Sequence, residues 1–238
     1  MSEMVLRESL SLSGSGINAT FGAIYRPMDQ FQFGISIATP TKYQITDSYQ
    51  ATMNTTWNNF TYEPGTVLNN ESFGTDNLTS NYNISTPWRF SGGATFFIQK
   101  KGLISADVEF LNYAGNKFSP NTSGDNYDAD NDNIKTLYKS TVNFRIGGEY
   151  RLNKYRFRAG YNLMGDPYQQ QQNGISNSIS SYSAGVGYRT TNFYIDFATI
   201  LSQYDQSYRP YTLQSAAGPL VALKNQATTF ALTVGFPF

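Results

Sequence analysis

The chain has 238 residues, 17 basic and 17 acidic side chains, no Cys and no His. Without Cys there is no disulfide, thiol nucleophile or thiolate metal site, and without His a Ser-His-Asp hydrolase is excluded. Zero net charge gives no electrostatic reason to expect nucleic acid as a partner, and the 14% of charged residues fall well short of the usual quarter or so.

The opening MSEMVLRESLSL has no basic start followed by an apolar stretch, so no signal peptide is read in it. No apolar run further on approaches the roughly 18 residues of a membrane-spanning helix. What recurs is alternation of apolar with small or polar residues, the period of a strand whose two faces meet different surroundings. About nine such segments follow one another. INATFGAIY puts Phe21, Ala23 and Tyr25 on one face, and FQFGISIAT puts Phe31, Phe33, Ile35 and Ile37 there. Trp88, Phe90, Ala94, Phe96 and Ile98 form the third, and Ile104, Ala106, Val108 and Phe110 the fourth. Then come Val142, Phe144, Ile146 and Tyr150, followed by Tyr155, Phe157, Ala159, Tyr161 and Leu163. Tyr182, Ala184, Val186 and Tyr188 make the seventh, Phe193, Ile195 and Phe197 the eighth. The last is TTFALTVGFPF, from Thr228 to Phe238.

The links between segments alternate in length. RPMDQ, QKKG, LNK and TTN are short. Residues around 50–80, 118–136, 167–178 and 205–226 are long and rich in Asn, Ser, Asp and Tyr. Short and long in turn is the rhythm of a transmembrane β-barrel, with tight periplasmic turns and long external loops. Aromatics near segment ends (Tyr25, Phe31, Trp88, Phe193, Tyr194) suit an interfacial girdle. A soluble sandwich or lipocalin-like barrel also alternates, but its apolar face is its interior. The expected fold class is therefore all-β, a transmembrane antiparallel β-barrel with membrane lipid as its first partner.

Following the rhythm backward from the C-terminus, the first segment, about 8–25, starts on the outer side. Simple bacterial barrels have an even strand number with both termini periplasmic. Either the count of nine omits a strand, or residues 1–238 are a single barrel domain that is the C-terminal part of a larger barrel, lacking an N-terminal hatch; the absence of a signal peptide favours the second.

GSGINATFGAIYRPMDQFQFGISIATPTKYQITDSY (14–49), YNISTPWRFSGGATFFI (82–98), KGLISADVEFLNY (101–113) and the closing VGFPF resemble the outer-membrane long-chain fatty acid transporters of the FadL, OmpP1 and TodX group. The resemblance implies a barrel of about 14 strands plugged by a hatch. It implies passive uptake of fatty acids or other hydrophobic small molecules, with lateral release and no cofactor. It also implies that Phe238, a terminal aromatic, is read by the barrel assembly machinery. The family's ligand residues cannot be carried to any position here.

The candidate site residues are the charged positions opposite the apolar faces: Arg89, Asp107, Glu109, Arg145, Glu149, Arg156, Arg158 and Asp196. At similar heights on neighbouring strands they would form a cross-strand ionic ladder lining a lumen. An alternative role, drawing in a carboxylate headgroup, falls to the arginines. GDNYDADNDN (124–133) places Asp128, Asp130 and Asp132 at alternate positions like the start of a calcium loop. It has Asn133 where that loop needs Gly and Lys139 where it needs an acid, so a solvated acidic loop is expected. Loop aromatics such as Trp57, Phe60, Tyr127, Tyr168 and Tyr211 would pack on one another or form an apolar capture site. A structural or adhesive barrel with partner-binding loops is the second functional reading. No catalytic residue, metal site or nucleic-acid partner is expected.

Overall fold

The structure is a computed structural model that describes residues 1–121, 125–171, 174–209 and 218–237. Phe238 and Tyr211, and the roles expected of them, lie outside the described residues. In chain order the strands are β1 (Glu3–Ile17), β2 (Thr20–Met28), β3 (Phe31–Ala38), β4 (Lys42–Glu63), β5 (Thr66–Gly74), β6 (Leu78–Ser85), β7 (Arg89–Ile98), β8 (Gly102–Asn112) and β9 (Lys117–Pro120). Helix α1 (Asp128–Leu137) precedes β10 (Ser140–Leu152), β11 (Tyr155–Met164), β12 (Ile179–Arg189), β13 (Tyr194–Tyr208) and β14 (Val221–Gly235). Among the described residues no helix is long and apolar enough to cross a membrane, which leaves crossing by strands untouched.

Two compact units divide the chain. One holds residues 18–40, 86–116 and 131–238, the other 1–17, 41–85 and 117–130. The larger unit is a nine-stranded sheet ordered β14-β13-β12-β11-β10-β8-β7-β3-β2. All nine alternating segments are strands of this sheet, and each pairs antiparallel with the next. The register puts their apolar positions on a single face. Tyr150, Phe157, Val186, Phe197 and Leu232 form one row across five strands. Ile37, Phe90, Phe110 and Val142 form another across four.

That face is bare. Phe21 is 70% exposed, Phe230 67% and Leu232 69%, while Leu111 and Ile134 are the buried hydrophobics among the described residues. A soluble fold would bury such rows; a lipid-facing sheet presents them. The edge strand β2 contains Pro27, which cannot donate to a ladder, and its register with β3 shifts between Tyr25 and Met28.

The smaller unit is where the structure departs from the sequence reading. Its five-stranded sheet runs β1-β4-β6-β9, with β5 also on β4. The stretch 50–80, expected as a long loop, contains the second half of β4, then β5 and the start of β6. NTTWNNFTYE has little apolar periodicity because its side chains are not sorted between lipid and lumen. Backbone pairing holds it instead, with Asn54–Thr56 between β1 and β5 and Phe60, Thr61 and Glu63 matched to β5. The single segment expected at about 8–25 is divided, since β1 ends at Ile17 and β2 begins at Thr20 in the other unit. Pro40 and Pro87 lie between strands, beside the points where the chain passes from one unit to the other.

Candidate functional site: the polar face of the nine-stranded sheet

Side chains alternate across a strand, so the apolar rows fix where the polar ones go. Asp107, Arg145, Asn162, Ser181 and Ser202 form one row on the opposite face. Two residues on along each strand lies the row Ser105, Gly147, Gly160, Ser183 and Ile200, and beyond it Leu103, Glu149, Arg158, Gly185 and Ala198. All eight charged candidates lie on this face, and the structure gathers six of them into two clusters.

The first cluster centres on Glu109, whose side chain is only 13% exposed. Its carboxylate accepts a hydrogen bond from Asn143 Nδ2 at 2.9 Å. It ion-pairs with Arg89 Nε at 3.5 Å and Arg145 Nη2 at 3.7 Å. Arg145 stands directly opposite Asp107 in register yet reaches diagonally to Glu109. Its Nε also donates to Asn162 Oδ1 at 3.3 Å. Asn143, 3% exposed, accepts from Gly165 N at 3.1 Å through its Oδ1 and so ties the end of β11 to the cluster.

The second cluster joins three strands. Arg151 and Arg158 both donate through Nε to Glu149, the latter at 2.7 Å. Arg158 Nη1 donates to Asp196 Oδ1 at 2.6 Å. Arg158 is on β11 and Asp196 on β13, so the pair spans β12. It can do so because β12 offers glycine there: a Cβ on Gly187 would come within 2.1 Å of Asp196 Oδ1.

Asp107 and Arg156 stand outside both clusters. Asp107 lies over Gly93, where a Cβ would meet its Oδ1 at 2.2 Å, and has Ser105 Oγ at 3.4 Å. Arg156 donates to the backbone carbonyls of Asn153 and Tyr155, each at 3.0 Å, and forms no ion pair among the described residues. Arg151 is a member that sequence reasoning missed, whereas Asn143 and Asn162 fall on the polar face by the same alternation without being singled out as site residues. Arg151 follows Glu149 at alternate spacing, a signal that was present but fell at the hairpin end.

Between the clusters, small side chains make a floor. A depression of about 510 Å³ is lined there by Asp107, Arg145, Gly147, Gly160, Asn162 and Ser183, among others. Of its two charges Arg145 reaches Glu109 and Asp107 has the serine contact, so it presents a polar surface carrying one charge of each sign. Among the described residues no group of His, Cys, Asp or Glu could hold a metal.

At the ends of the strands away from the tight turns, the calcium-like acids fall on α1. Asp128 and Asp132 share one face of the helix while Asp130 falls on the other, so the three do not converge on one point, and Asp132 pairs with Lys135 at 2.9 Å. Tyr138 stacks on Tyr168 with ring centroids 5.0 Å apart, alongside a backbone bridge between the two. Burial, and then hydrogen bonding to Tyr168, raise the Tyr138 phenol above its ordinary value. In the smaller unit Trp57 stacks on Phe60, and Tyr82, Phe118 and Tyr127 cluster. These aromatics pack on one another.

The family described as "Outer membrane protein transport protein (OMPP1/FadL/TodX)" matches residues 9–238. Among solved structures, the chain is similar in fold to one titled "CymD monoaromatic hydrocarbon channel", with a TM-score of 0.55 and 14% identity. The match covers 93% of this chain and 51% of that one, so the chain spans about half that structure's length. No curated protein matches the sequence.

Proposed function

The chain belongs to the OMPP1/FadL/TodX family of outer-membrane transport proteins, and on that premise we propose that its nine-stranded sheet is channel wall for small hydrophobic molecules. Its place is the outer membrane, and it is not an enzyme. In this reading the apolar face meets lipid and the polar face meets the passage. The observation that carries it is the register, which sorts apolar from charged positions across all nine strands. The solved structure's title names a monoaromatic hydrocarbon channel, and the resemblance noted above names long-chain fatty acids. Both substrate classes are part of the proposal.

Uptake into cells lacking their own channels of this kind tests it. Labelled oleate and labelled toluene are supplied separately, with an unrelated barrel as control. Entry of either several-fold above the control is expected, and entry of neither overturns the reading. The guanidinium groups allow a finer test. Arg158 is engaged by Glu149 and Asp196, whereas among the described residues Arg156 has only carbonyl partners, which leaves its charge to attract a carboxylate. Arg156→Gln should lower oleate uptake and leave toluene uptake unchanged. An equal fall in both, or none, removes Arg156 from the path.

A further inference from the structure

The smaller sheet has an amphipathic character of its own, independent of the transport reading. Register places Ile17, Lys42, Ser85 and Lys117 in one row across β1, β4, β6 and β9. Two residues along, on the same face, lies the row Ser15, Gln44, Asn83 and Ser119. The two rows line a cleft of about 760 Å³. Two lysines contribute to it and no Asp or Glu does.

The charge here differs in kind from that of the larger sheet. There, arginines meet carboxylates at hydrogen-bonding distance. Lys42 and Lys117 form no ion pair among the described residues. Adjacent strands are about 4.8 Å apart, so two spacings separate these lysines by about 10 Å at the backbone. Only Ser85 stands between them, and flexible four-carbon stems let both ammonium groups close over it. At that range, on exposed side chains, their repulsion is largely screened, so both can reach a single anion placed over Ser85. A group carrying close to two negative charges satisfies both at once, and the Ser85 and Ser119 hydroxyls add donors.

We propose that Lys42 and Lys117, flanking Ser85 on the polar face of the smaller sheet, form a binding site for a phosphate group, free or on a lipid headgroup. Purified protein in detergent micelles is titrated with inorganic phosphate by calorimetry. In a parallel arm, retention of phosphatidic acid against phosphatidylcholine is measured from mixed micelles. Wild type should bind in at least one arm, and which arm responds identifies the source. Lys42→Gln/Lys117→Gln should weaken that binding about tenfold, as loss of charged donors predicts. Lys42→Arg/Lys117→Arg should retain it, as should Lys101→Gln/Lys224→Gln. Circular dichroism confirms that the variants keep their strands, and the arginine pair gives a reading should the glutamine pair fail to fold. The proposal is overturned if wild type binds in neither arm. It is equally overturned if the Lys42→Gln/Lys117→Gln variant binds like wild type, or if Lys101→Gln/Lys224→Gln weakens binding as much.

Discussion

At the scale of single residues, two carboxylates two positions apart on β8 do different work. Glu109 holds two guanidinium groups and an amide, while Asp107 has one long serine contact. Glu109→Gln should therefore cost about 1–2 kcal/mol, discounted for the exposure of its arginines, and Asp107→Asn less than about 0.5. Urea unfolding midpoints in micelles check the ranking, and equal costs would refute it. Gly187 supplies a second case, since its missing side chain makes room for the Arg158–Asp196 pair. Gly187→Ala and Asp196→Asn should each weaken the fold, and the double variant should be no weaker than the worse single one. Strict additivity would show that the glycine serves something else. These cases also mark what a sequence can show of the site. Alternation put all eight charges on one face, because that follows from strand geometry alone. Partnership followed from register and gaps: Arg145 passes over its opposite number for a diagonal one, and Arg158 crosses a whole strand. Neither is written in spacing along one strand.

At the scale of elements, legibility tracks the environment that sorts side chains. The nine strands of the larger sheet announced themselves because one face is uniformly apolar. The second half of β4 and β5 did not, because Thr, Asn and Ser stand on both sides of them and backbone pairing holds them, while β6 alternates (Tyr82 and Ile84 against Asn81, Asn83 and Ser85) over too few residues to stand out. Helix α1 was hidden in what read as an acidic loop. Its acids favour a helix N-terminus through the macrodipole, and Asn126 Oδ1 accepts from Asp128 N at 2.7 Å at the entry. Its far end is tied down where Lys139 N donates to Pro167 O at 2.8 Å and Tyr138 meets Tyr168. This tie depends on pH. The fold favours the neutral Tyr138 phenol, so the stability it adds is full below pH 10.0 and is lost as pH rises through the raised value. Near-ultraviolet circular dichroism should change as pH rises above 10.0 in wild type, and the part of that change due to this tie should be missing in Tyr138→Phe. Identical curves would mean that the phenol plays no part in the tie.

At the scale of the whole molecule, the apolar face sets the terms. A chain with 14% charged residues, and with few buried hydrophobics among its described residues, does not gain its stability from an apolar core shielded from water. The rows that include Val186, Phe197 and Leu232 gain it from lipid, and the ladder of paired backbone groups makes that environment tolerable. The same substitution on opposite faces then has very different consequences. Ile146 lies mid-strand in the apolar row with Ala106, Tyr161 and Tyr182, whereas Ser181 lies in the polar row with Asn162 and Ser202. Arginine at a lipid-facing midplane position costs about 2–4 kcal/mol, because its charge must be carried into hydrocarbon or dragged toward the interface. On the polar face, between Asn162 and Ser202, it should cost under about 1 kcal/mol. Ile146→Arg should therefore assemble poorly and unfold at markedly lower urea in lipid vesicles, and Ser181→Arg should stay close to wild type. If the two variants behave alike in vesicles, the face bearing Ile146 does not meet lipid.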